Sequence, residues 1–161
     1  MPVEISKQDL SKELEQLAAA APSAEHLMTS FVRLLAERLP KYNWVGFYML
    51  EKGVEPKTLV LGPFVGAPTP HTRIPLNQGI CGAAASSGET IVVNDVHSDP
   101  RYLACSLETK SEIVAPIFVR GAVVGELDID SHFPAAFGPD DRALVEHCAQ
   151  LVGRCLEQTS A

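Results

Sequence analysis

The four cysteines of this chain fall into two kinds. Cys148 and Cys155 lie seven residues apart, two helical turns, within the apolar stripe Leu144, Cys148, Leu151, Val152 and Cys155. In such a stripe a cysteine is a small buried hydrophobe. Cys81 and Cys105 stand elsewhere. Cys81 lies in Gly79-Ile-Cys-Gly82, where flanking glycines let the backbone approach a neighbour closely. Cys105 belongs to the polar stretch 98–109, which carries Pro100 and reads as an irregular loop of the kind that often holds functional groups. Each of these two reads either as a reactive thiol or as a thiol plugged into the core.

Carboxylates are the second candidate. Asp128 and Asp130 stand at i and i+2 of an expected strand, Leu127-Asp-Ile-Asp130, so both point to one face while Leu127 and Ile129 take the other. Neighbouring carboxylates on a covered face repel, and one keeps its proton, which sets an acid beside an anion. Glu112 opens the adjoining hairpin strand and reaches the same face. That face is either solvated or lines a pocket. Trp44, the single tryptophan, and Tyr48 share one strand face, about 13 Å apart at the usual rise. They are core residues or the walls of an apolar slot. His71, His97 and His132 fall in loops or at strand ends, without helical ligand spacing. With no HExxH and no CxxC, a metal site is not expected, nor a zinc ribbon or thioredoxin-type motif.

The elements that must position these groups follow from periodicity. Leu10, Leu14 and Leu17 mark a helix over residues 7–21, broken by Pro22. Ser23 is the expected N-cap of a second helix, Ala24 to Leu39, with the stripe Leu27, Phe31, Leu34, Leu35 and Leu39. Strands are expected over Trp44–Leu50, Thr58–Val65, Thr72–Leu76 and Ile91–Val96. A short helix over Gly79–Ser87 should end near Gly88. The strands Glu112–Val119 and Ala122–Asp130 flank Arg120-Gly121, a two-residue hairpin signal. Pro139 opens the last helix, with Asp140 and Asp141 in its first turn. Helices at both ends of a mainly antiparallel sheet make an α+β domain. The division is an N-terminal helical arm, 1–22, and a domain over 23–161. A Rossmann-like fold is disfavoured, since hairpins replace βαβ alternation and no GxGxxG or GxxxxGK[ST] occurs.

Composition excludes several classes. The 161 residues carry 13 Lys+Arg against 20 Asp+Glu, a net charge of −7, with no basic run. That argues against nucleic acid and against an anionic membrane surface as partners. No apolar stretch is long enough to cross a bilayer, and the N-terminus lacks a signal-peptide pattern, so a cytoplasmic location is expected. Cysteines in such a compartment are thiols rather than a disulfide framework.

Eight segments then occur in order: Asn43-Trp-Val-Gly-Phe-Tyr48, Leu59-Val-Leu-Gly-Pro-Phe64, Arg73-Ile-Pro75, Gly79-Ile-Cys-Gly82, Asp95-Val-His97, Ala104-Cys105, Ser111-Glu-Ile-Val114 and Leu127-Asp-Ile-Asp-Ser131. Together they resemble the free methionine-(R)-sulfoxide reductase family, a group of single GAF domains, over about residues 25–157. The resemblance implies a GAF fold with a loop-lidded pocket on one sheet face, and a homodimer. It implies reduction of free methionine sulfoxide with Cys105 as nucleophile and Cys81 as a recycling thiol. Trp44, Tyr48, Glu112, Asp128 and Asp130 match its substrate-pocket positions. No bound cofactor is implied; thioredoxin or a small thiol serves as reductant. The chain departs from the pattern twice. His71 stands where a further recycling cysteine is usual, and Ser106 where an Asp commonly follows the nucleophile. The His71 departure leaves a second reading open, a GAF domain that binds a small ligand without turnover, as a sensor module.

Overall fold

In the computed structural model, residues 7–103 and 107–159 are described. The first helix, α1 (Lys7–Ala20), is followed by α2 (Ala24–Arg38). Ser23 caps α2 as its sequence suggests, its hydroxyl accepting from the His26 N–H at 3.1 Å. The Arg38 guanidinium grips both oxygens of Glu13, at 3.1 and 3.2 Å, and fastens α2 to α1. The strands are β1 (Trp44–Leu50), β2 (Thr58–Val65), β3 (Arg73–Pro75), β4 (Ile91–Val93), β5 (Ser111–Val119) and β6 (Ala122–Ser131). Helix α3 (Gly79–Ser87) lies between β3 and β4, and α4 (Pro139–Thr159) closes the chain.

The six strands form one antiparallel sheet in the order β3-β2-β1-β6-β5-β4. The β5–β6 hairpin turns on Arg120 and Gly121, at φ 50° and 80°, both in the left-handed region that a two-residue primed turn requires. The expected strand Ile91–Val96 stops at Val93. Asp95 accepts the His97 N–H at 3.1 Å and starts a 3₁₀ turn over Val96–Ser98 instead. A local side-chain bond to backbone competes here with the sheet ladder.

Alternation divides the sheet into two faces. Val45, Phe47, Ile113, Ala115, Ile117, Leu127 and Ile129 pack under α1, α2 and α4 in one apolar core. Cys148 and Cys155 lie in that core, as their helix stripe indicates, and burial pushes the Cys148 thiol up to about 12. The opposite face carries Trp44, Tyr48 and Val114, with α3 packed on β5 and β6. The fold is thus the α+β sheet-and-helix architecture read from the sequence.

Candidate functional site

Register on this second face places the acids side by side. Trp44 pairs with Asp130, and Asp130 with Glu112; Gly46 pairs with Asp128, and Asp128 with Val114; Tyr48 pairs with Glu126, and Glu126 with Pro116. Glu112, Glu126, Asp128 and Asp130 are all buried, none more than 4% exposed. The acid face is therefore covered, not solvated. Glu126 is the member that sequence reasoning missed, although the same alternation continues from Asp130 through Asp128 to Glu126 and would have found it.

Burial of this kind disfavours charge. It is the leading reason that Glu112, Glu126 and Asp130 are held well above the usual carboxylate range, and the neighbouring Asp128 charge adds to it. Asp128 is raised as well, but hydrogen bonds from Glu112, Cys81 and Asp130 pull it back. Asp128 is thus the least raised of the four, and burial favours the protonated form most at Glu112, Glu126 and Asp130. Asp128 and Asp130 share this face, as the i, i+2 spacing requires.

Cys81, on the first turn of α3, points down at this row, its Sγ 3.3 Å from Asp128 Oδ2. Burial, followed by the charges of Asp128, Glu126 and Glu112, pushes the thiol well above its ordinary value. The flanking glycines explain how α3 gets so close. Gly79 has φ +71°, and a Cβ there would meet Leu103 Cδ1 at 2.9 Å; one at Gly82 would meet the Leu76 carbonyl oxygen at 2.7 Å.

Trp44 and Tyr48 stand at i and i+4 of β1, about 13 Å apart along the backbone at the usual rise. Across that backbone spacing the Trp44 and Tyr48 rings reach toward each other, 6.2 Å apart between centroids at 29°. Gly46 between them is the cause: a Cβ there would lie 2.3 Å from the Trp44 ring, so its absence lets the indole fold along the strand. The indole N–H donates to the Ala67 carbonyl at 3.0 Å, and the Tyr48 hydroxyl donates to the His71 carbonyl at 2.7 Å. These two bonds moor the 66–72 loop over the acids.

A cavity of about 10 Å³, room for one water molecule, is bordered by Tyr48, His71, Cys81, Leu103, Glu112 and Asp128. A second of about 80 Å³ opens at the other end of the row, against Trp44, Thr69, Asp130 and His132. His71 and Cys81 therefore border the same space. His97 stacks edge-on against Tyr102, and Arg101 is paired with Asp99 at 2.7 and 3.0 Å. Cys105, with Ala104 and Ser106, lies outside the described residues.

This architecture is matched by a model of the GAF domain over residues 23–156, and the chain belongs to the GAF-domain family. Among relatives, it is 38% identical over 144 residues to the free methionine-R-sulfoxide reductase of Escherichia coli, covering 89% of this chain and 84% of that one. It superposes on the type II free methionine-R-sulfoxide reductase of Thermoplasma acidophilum with a TM-score of 0.78 at 39% identity, over 88% of this chain and 96% of the other. With the free methionine-R-sulfoxide reductase of Neisseria meningitidis, solved in complex with its substrate, the TM-score is 0.89 at 31% identity, over 96% and 92%. Within the GAF domains the chain belongs to the free methionine-R-sulfoxide reductase family.

Proposed function

We propose that this chain reduces free methionine-(R)-sulfoxide to methionine by thiol chemistry. The observation that carries the reading is the covered acid row walled by Trp44 and Tyr48 and approached by the Cys81 thiol. Asp128 suits the substrate ammonium, a positive charge that would relieve a buried anion. The stacked rings suit its methyl and methylene groups.

In the proposed cycle the Cys105 thiolate attacks the sulfoxide sulfur and the oxygen transfers to Cys105. Methionine leaves, and Cys105 becomes a sulfenic acid. Glu112 or Asp130, whose burial favours the protonated form, supplies a proton to the departing oxygen. The Cys81 thiol then condenses with the sulfenic acid, forming a disulfide and releasing water. Thioredoxin or a small thiol returns the disulfide to two thiols. The assignment of Cys105 rests on the resemblance in sequence. The relatives' names support the substrate, and the resemblance in sequence supports a homodimer.

The test is turnover of the separated R and S epimers of free methionine sulfoxide, coupled through thioredoxin to NADPH. Only the R epimer should be reduced. Cys105→Ser should abolish even a single turnover, whereas Cys148→Ser and Cys155→Ser should leave the rate unchanged. Cys81→Ser should complete one stoichiometric turnover and then stall, with dithiothreitol but not thioredoxin restoring it. Undiminished single-turnover reduction by Cys105→Ser overturns the nucleophile. No turnover of either epimer with either reductant overturns the enzyme and leaves the ligand-binding module.

A further inference from the structure

The thiol and the acids around it are also a set of metal ligands. Cys81 Sγ, a Glu112 oxygen and an Asp128 oxygen all lie within 4.8 Å of one another. Tetrahedral zinc, with bonds of about 2.3 Å to sulfur and about 2.1 Å to oxygen, needs ligand atoms roughly 3.4–3.6 Å apart. The 3.3 Å between Cys81 Sγ and Asp128 Oδ2 is within about 0.3 Å of that, and a Glu112 oxygen lies within 4.8 Å of both.

A separate observation points to a ligand. Both carboxyl oxygens of Glu126, Oδ1 of Asp128 and Oδ1 of Asp130 are buried without a hydrogen-bond partner. A buried acceptor without a partner loses its hydration and regains nothing. Among the described residues, no ion pair involves any of the four acids. A cation is what this part of the face lacks.

We propose that the reduced protein binds one thiophilic divalent cation of the zinc class on Cys81, Glu112 and Asp128. Binding exchanges the thiol proton for a metal–sulfur bond and moves no electrons: Cys81–SH + M²⁺ gives Cys81–S–M⁺ + H⁺. One soft thiolate among hard carboxylates favours zinc and cadmium over magnesium and calcium. A cation so held occupies the acid row and withdraws Cys81 from redox exchange. Oxidation of Cys81 by a peroxide, Cys81–S⁻ + H₂O₂ giving Cys81–SOH + OH⁻, removes the thiolate and releases the metal. The site is therefore metal-binding in the reduced state alone, whatever the chain's activity.

Titration of the reduced full-length chain with Cd²⁺ tests this directly. One ion per chain is expected, with the ultraviolet thiolate-to-cadmium charge-transfer band. Zn²⁺ affinity is then read by competition with a chelating dye. Cys81→Ser should abolish the band and weaken zinc about a hundredfold, and Glu112→Gln should weaken it about tenfold. Cys105→Ser, Cys148→Ser and Cys155→Ser should bind as the parent does. X-ray absorption at the zinc edge of the unaltered protein needs no variant; one sulfur among oxygen neighbours is expected. A shell without sulfur, a band that survives Cys81→Ser or a band that vanishes in Cys105→Ser overturns the proposal.

Discussion

Strand β6 sends alternate side chains into two different interiors. Leu127 and Ile129 enter the core under α1, α2 and α4, and Glu126, Asp128 and Asp130 enter the layer under α3; all five are at most 2% exposed. Equal burial has opposite energetic meaning on the two sides. Removing apolar surface from water stabilises the fold by roughly 25 cal/mol per Å². Removing carboxyl groups from water costs free energy unless each is neutralised or paired. One face therefore holds the domain together, and the other draws on that stability to keep polar groups dry and poised for a ligand.

Adjacent residues of β6 offer the sharpest way to break this contrast. Asp128→Asn removes the acid of the row whose charge burial disfavours least, and should lower kcat/KM for free methionine-(R)-sulfoxide by about 10³-fold. The melting temperature should hold or rise. Leu127→Ala, one residue away, should cost about 2–5 kcal/mol of stability while the folded fraction keeps its kcat. Denaturant melts and steady-state kinetics on both variants check the pair. Loss of stability in Asp128→Asn to match Leu127→Ala would show that the acids are structural.

A smaller effect is expected at Gly46. Its added Cβ would collide with the Trp44 ring, so Gly46→Ala should push the indole away from Tyr48 and raise KM about tenfold, or 1.4 kcal/mol. Quenching and wavelength of the single tryptophan's fluorescence report the ring directly. An unchanged spectrum with unchanged KM would separate the aromatic pair from the site.

The acids should also shape stability against pH. Their folded-state pKa values are raised, so the folded chain holds protons that the unfolded chain releases. By linkage, stability then falls as pH rises from the unfolded value, about 4, toward the raised one. Glu126→Gln removes one such group. It should raise Tm by about 3 °C at pH 8, the equivalent of about 1 kcal/mol, and change it little below pH 4. Calorimetry across that range checks the sign; a Tm that falls at pH 8 would mean that the carboxylate has a partner. Smallest of all, Cys155→Ser, at the end of the apolar core, should cost about 1 kcal/mol or less and leave kinetics untouched.

Much of this is legible in the residues themselves. Period-2 alternation assigns Asp128 and Asp130 to one face and Leu127 and Ile129 to the other, because the strand backbone imposes it wherever the strand lies. Ser23, Pro139 and Arg120-Gly121 mark helix starts and a hairpin through local backbone chemistry, and the elements begin and turn there. The order of short motifs, with His71 in place of a cysteine, is likewise a property of sequence alone.

What covers each face is a different kind of fact. Alternation says which side a carboxylate takes, not whether water or a helix meets it there. The approach of α3, through the glycine contacts at Leu103 and Leu76, decides that the acids are dry and that Cys81 touches Asp128. Register across β1, β6 and β5 decides that Glu112 joins them and that Glu126 lies opposite Tyr48. The closeness of Trp44 and Tyr48 depends on an empty Cβ position between them, and β4 ends early because Asp95 bonds its own neighbours. These are contacts between residues distant in sequence, or competitions between local and ladder hydrogen bonds. Their outcome depends on the three-dimensional packing of the whole chain, which no local period encodes.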